Sequence, residues 1–128
     1  MKVEGEVSML KRVFRGLVVA MLLVGVAVAG PFEDGNAALE SGDYVQASKW
    51  YRLAADQGNA YAQGGLGVMY AKGEGVPQDY VLAHMWLNLA AAQGQAEAVK
   101  NRDLAASKMT RDQLAEAQRL ARDWKPSR

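Results

Sequence analysis

Residues 43–62 read DYVQASKWYRLAADQGNAYA, and residues 79–98 read DYVLAHMWLNLAAAQGQAEA. Laid over one another at an offset of 36 positions, they coincide at Asp43/Asp79, Tyr44/Tyr80, Val45/Val81, Ala47/Ala83, Trp50/Trp86 and Leu53/Leu89. The coincidence continues through Ala54/Ala90, Ala55/Ala91, Gln57/Gln93, Gly58/Gly94, Ala60/Ala96 and Ala62/Ala98. A period of this length is that of a helix pair in an α-solenoid. Within the first copy, Tyr44, Ala47, Trp50 or Tyr51, and Ala54 recur at steps of three and four, as one helical face requires. Tyr80, Ala83, Leu87 and Ala90 repeat the pattern. Asp43 and Asp79 precede the two helices, where a carboxylate accepts free backbone N–H groups. Gly58 and Gly94 follow them, where a left-handed residue ends a helix.

Between the copies lies LGVMYAKGEGVPQDYVLAHMW, residues 66–86, with three glycines close together. A phosphate-binding loop needs G-x-x-x-x-G-K-[ST] after a strand. Neither the spacing nor the strand is present, so the segment reads as a joint between two helices, with Gly73 as the stop of the first. Downstream, TRDQ (110–113) pairs Thr110 with Gln113 as a capping box. The pattern predicts helices over 32–41, 44–57, 60–72, 80–93, 96–109 and 111–124. No run alternates apolar and polar residues in the way of a strand.

The chain has 128 residues, 50% hydrophobic and 23% charged, with no cysteine and one histidine. Without cysteine there is no disulfide framework and no thiolate nucleophile or metal ligand. Lys11, Arg12 and Arg15 precede LVVAMLLVGVAV (17–28), and Ala27 and Ala29 stand at small-residue cleavage positions. This is the form of a secretory signal peptide over residues 1–29, cut after Ala29. Glu4 and Glu6 are unusual in such a segment and raise Met9 as a start site. The competing reading, an uncleaved anchor, asks for about 18 or more apolar residues, longer than this run. Residues 1–29 hold Lys2, Lys11, Arg12 and Arg15 against Glu4 and Glu6, so the rest carries 11 basic and 12 acidic residues and a formal charge of −1. A nearly neutral chain has no electrostatic footprint for nucleic acid. Without a cysteine after the expected cut, no lipid is attached there by a thioether, and no stable membrane insertion is expected after cleavage.

The stretch AYAQGGLGVMYAKGEGVPQDYVLAHMWLNLAAAQG (60–94) carries A-x-A, L-G-x-M-Y, G-x-G-V, D-Y, A-x-x-W and A-A-x-x-G in order. In this it resembles the Sel1-like repeat family, kin of the tetratricopeptide repeats. The resemblance implies an all-α fold, a short right-handed superhelix of antiparallel helix pairs. Residues 30–128 would form the repeat domain, with a partial repeat at 32–58, a full repeat at 60–94 and degenerate capping helices at 96–124. It also implies a protein or peptide partner, no catalysis and no cofactor. Exported bacterial members with this layout are associated with envelope assembly, polysaccharide export, signalling regulation and host contact. Cysteine-rich relatives linked to β-lactams offer no guide, since this chain lacks their cysteines. The expected function is an exported interaction module of the bacterial envelope. The alternatives are a structural subunit or regulator of an envelope assembly and, less favoured, a cell-wall enzyme.

The candidate chemistry is sparse. His84 falls mid-helix where the other copy has Ser48, with no nucleophile or second metal ligand to join it, and reads as surface or packing. Glu33 and Asp34 read as solvated. Trp50, Trp86 and Tyr70 read as core. For binding, the first helix of each pair lines the concave surface of a solenoid. Tyr61, Gly65, Val68 and Lys72 share a face of helix 60–72, apart from the packing residues Ala62, Leu66 and Met69. Applied to positions 61, 64, 65 and 72, the 36-residue offset adds Glu97, Lys100, Asn101 and Lys108. These eight form the expected partner-binding stripe, with bare backbone at Gly65. In the last helix, Leu114, Ala117, Leu120 or Ala121, and Trp124 make an apolar stripe, read as a cap on the array, with a homodimer contact as the alternative.

Overall fold

The computed structural model describes residues 30–127, and the segment read as a signal or anchor lies outside them. Six helices follow one another: α1 Pro31–Glu40, α2 Tyr44–Asp56, α3 Ala60–Lys72, α4 Tyr80–Ala92, α5 Ala96–Ala106 and α6 Arg111–Asp123. Among the described residues there is no strand, and no helix is long and apolar enough to cross a membrane. Consecutive helices from α1 to α5 pack side by side as an all-α solenoid.

The predicted caps operate. Asp43 accepts from the Gln46 N–H at 3.1 Å and Asp79 from the Leu82 N–H at 3.0 Å. Thr110 and Gln113 bond reciprocally at 3.2 and 3.0 Å. Asn59 supplies a cap not foreseen, accepting from the Ala62 N–H at 3.0 Å. Helix ends agree with expectation within a residue, except that α5 ends at Ala106 rather than 109. There the N–H groups of Lys108 and Met109 turn to carbonyls three residues back, on Ala105 and Ala106, which tightens the chain into a turn.

The glycine cluster is a helix joint. Gly73 ends α3 at φ +71°, its N–H bonding the Met69 carbonyl at 2.8 Å. Gly75, at φ +74°, passes so close to the start of α2 that an added Cβ would fall 2.1 Å from the Tyr44 carbonyl oxygen. The Asp79 N–H then closes the loop on the Tyr70 carbonyl.

The core is built on alanine. Ala47, Ala54, Ala55, Ala62, Ala83 and Ala90 are buried, which lets helices approach closely around Tyr51, Leu66, Met69, Trp86 and Leu87. At Gly67 the approach of α3 to α4 is closer still, since a Cβ there would meet Leu87 at 2.7 Å and the Ala83 carbonyl at 3.1 Å. The expectation that Trp50, Trp86 and Tyr70 fill the core needs correcting at Trp50. Trp86 is buried and Tyr70, half-buried, packs against the same core, whereas Trp50 is half-buried and Tyr51 takes the interior position of α2. Gln63 is also fully buried. Its amide donates to the Ala55 carbonyl at 3.2 Å and accepts from the Gln93 amide at 2.8 Å, tying the ends of α2 and α4 to α3.

The last helix does not make a regular third pair. Instead of lying along α5, α6 packs on α4. Ala117 is buried, and Leu120, Ala121 and Trp124 pack on the core shared with α2 and α3. Beyond it the Ser127 N–H bonds the Asp56 carbonyl at 2.6 Å, bringing the C-terminal end back to α2. The apolar stripe weighed as a homodimer contact is thus used within the chain.

Candidate functional site

Between α3 and α5 lie two adjoining clefts of about 190 and 180 Å³, which share Val68, Leu87 and Asn101 in their walls. The first runs from Tyr61 past Gly65 to Val68, with Glu97 and Asn101 opposite. The second continues from Val68 to Lys72, facing Asn101, Leu104 and Lys108. A residue on one face of a helix returns every three or four positions, so Tyr61, Gly65, Val68 and Lys72 form one wall. Seven of the eight stripe residues therefore border a single groove.

Lys100 does not. It falls just outside the arc of α5 formed by Glu97, Ala98, Asn101 and Ala105, and its ammonium lies 3.9 Å from the Glu97 carboxylate with both side chains solvated. Gly65 borders the first cleft, and it also sits against a second neighbour. Its missing side chain makes room for Tyr51, whose ring would lie 3.3 Å from a Cβ. Lys108 reaches the groove from the turn after α5 rather than from the helix itself.

Leu104 was missed, although the 36-residue offset carries Val68 to it. It is 64% exposed at the rim of the second cleft. Tyr80 and Leu87 were missed because they belong to the packing pattern of α4, and Ala71 because it lies off the expected stripe, yet all three line the second cleft. Tyr61 is 67% exposed, with its ring 6.0 Å from that of Phe32.

Two titratable groups are perturbed inside the helical layers. Burial lowers the His84 pKa, assisted by the Arg102 charge and opposed by Asp103. Its Nδ1 has no hydrogen-bond partner among the described residues. Burial, then the Glu40 charge, raises the pKa of Tyr51, whose hydroxyl donates to Asn36. Each is set in packing and lines neither cleft. Among the described residues no three His, Asp or Glu side chains gather as a metal site, and Glu33 and Asp34 line neither of the two clefts.

Comparison with known proteins places this architecture. The Sel1 repeat matches residues 19–59 and 60–95. The first match begins inside the stretch read as a signal, at positions outside the described residues. The structure is similar to the crystal structure of a protective antigen present in uropathogenic Escherichia coli strains that displays an SLR fold. The TM-score is 0.70 and the sequence identity 36%. The likeness covers 73% of this chain and 21% of that one, so the chain spans about a fifth of that protein's length. No curated protein gave a match. Folds of this type are typically interaction scaffolds without catalysis. With its two matched repeats and its six-helix solenoid, the chain belongs to the Sel1 repeat family, a protein–protein interaction repeat module.

Proposed function

We propose that this protein is an exported adaptor of the bacterial envelope that holds a peptide or protein segment in the groove between α3 and α5. The observation that carries the binding reading is the groove itself. An exposed tyrosine, an aliphatic wall and polar groups at intervals line one continuous channel, the combination that suits an extended chain. Export rests on the N-terminal sequence, with its basic stretch, short apolar run and Ala27–Ala29 cleavage positions.

In-cell crosslinking of tagged protein followed by mass spectrometry tests the reading, with wild type beside Tyr61→Ala/Lys72→Glu. Both residues are exposed, so the fold should survive, as a thermal melt by circular dichroism would verify. The expected result is one dominant partner, lost from the double variant. A partner retained by that variant, or none above background, overturns the groove assignment. Intact-mass measurement on the same material should find a chain beginning at Gly30. An uncleaved chain recovered with the membrane would overturn the export reading.

A further inference from the structure

The groove is electrically lopsided. At the Tyr61 end the one acid, Glu97, has Lys100 as its neighbour. At the other end Lys72 and Lys108 both border the second cleft, and among the described residues neither has a carboxylate within ion-pair distance. Between the lysines the cleft is apolar, walled by Val68, Ala71, Leu87 and Ala105 with Leu104 at its rim. Asn101 lies in the wall shared by both clefts. Among the described residues its amide makes no hydrogen bond, leaving a donor and an acceptor for a passing backbone. From position 61 to position 72, α3 rises about 16 Å at ~1.5 Å per residue. An extended chain at ~3.3 Å per residue covers that span with about five residues.

We propose that the groove selects an extended acidic–apolar segment of a partner protein, with an aliphatic side chain in the second cleft and a neighbouring Asp or Glu side chain between Lys72 and Lys108. This rests on the reading that the groove binds a peptide. The two lysines act chiefly on choice and register. Exposed pairs are screened by salt and add little to total affinity, but a wrong charge beside two ammonium groups is rejected. The apolar cleft supplies the contact area that holds the segment.

The test is selection from a displayed library of random twelve-residue peptides against the purified chain, run in parallel on Lys72→Glu/Lys108→Glu. Both lysines are exposed, and a melt checks that the variant folds. Wild type should enrich peptides with Asp or Glu within two positions of Leu, Ile, Val or Phe. The reversed variant should enrich Lys or Arg there instead. The best wild-type peptide should lose about tenfold in affinity on the variant. Its binding should also weaken with added salt on wild type alone.

Leu104→Ser separates this inference from the reading beneath it. If the enriched peptides lose affinity on Leu104→Ser but ignore the lysine reversal, the groove stands and the acidic preference falls. If they bind both variants as they bind wild type, or if nothing is enriched, the groove reading falls with it.

Discussion

Trp50 and Trp86 occupy the same position of the two repeat copies and follow nearly the same local sequence, yet one is half-buried and the other is 1% exposed. The contrast extends to their neighbours. Val45 is 55% exposed where Val81 is half-buried, and Leu53 is 46% exposed where Leu89 packs on the core. Position in the array accounts for this. In the second copy α4 has α6 packed on it besides its chain neighbours α3 and α5. Arg52 of α2 sets its guanidinium 5.4 Å from the centre of the Trp86 ring, and Trp124, beyond α6, meets the same ring edge-on at 6.2 Å. Trp50 has α1 beside it, where a Cβ at Gly35 would lie 3.4 Å from its own Cβ. The repeat pattern thus specifies a helix and a face, while burial is conferred by whatever packs on that face.

The largest test of this contrast is to truncate both tryptophans. Trp86→Ala should cost about 3–5 kcal/mol of unfolding free energy in a urea titration, and Trp50→Ala about 1–2. Equal losses would break the comparison. Next come two glycines of α3. Gly67→Ala drives a methyl into Leu87 and should cost about 1–3 kcal/mol. At Gly64 a Cβ meets nothing nearer than 3.7 Å, so Gly64→Ala should be neutral or stabilising by up to about 1 kcal/mol. The same titration reads both, and equal effects would mean that the α3–α4 approach is not what holds Gly67.

A double-mutant cycle between Trp86 and Trp124 should give a coupling of about 0.5–1.5 kcal/mol, as aromatic edge contacts do. A coupling near zero would remove α6 from the account of why Trp86 is buried. The smallest effect concerns Ser48 and His84, the unlike pair at one repeat position. His84 has a lowered pKa in the folded chain, so the unfolded chain binds its proton first as pH falls. Its contribution is complete above the ordinary histidine value and declines below it, toward the lowered folded value. Thermal melts from pH 7 to pH 5 should therefore show a smaller loss for His84→Gln than for wild type. An unchanged loss would show that the buried imidazole does not couple to folding.

Much of the fold was legible because its signals are local. Asp43, Asp79 and the Thr110/Gln113 box cap within three residues, and Gly73 stops its helix through its own φ. Much of the groove was legible too, because Tyr61, Gly65, Val68 and Lys72 share a face by helical geometry alone. Lys100 failed because it is the repeat equivalent of Gly64, which lies off the stripe of Tyr61, Gly65, Val68 and Lys72. Leu104 escaped because the offset was not applied to Val68. The end of α5 was overrun because the turn at Ser107 carries neither glycine nor proline to announce it.

From sequence alone follow the repeat and its period, the caps at Asp43, Asp79 and Thr110, the all-helical class and the family, since each rests on spacing that the chain carries in itself. Tertiary structure alone decides that α6 folds onto α4 instead of pairing with α5, that Gln63 is buried between α2 and α4, and that identical tryptophans differ in burial. Such outcomes depend on surfaces brought together from distant positions, as when Ser127 meets Asp56. Burial is a property of pairs of surfaces, and a pattern along one helix states only half of each pair.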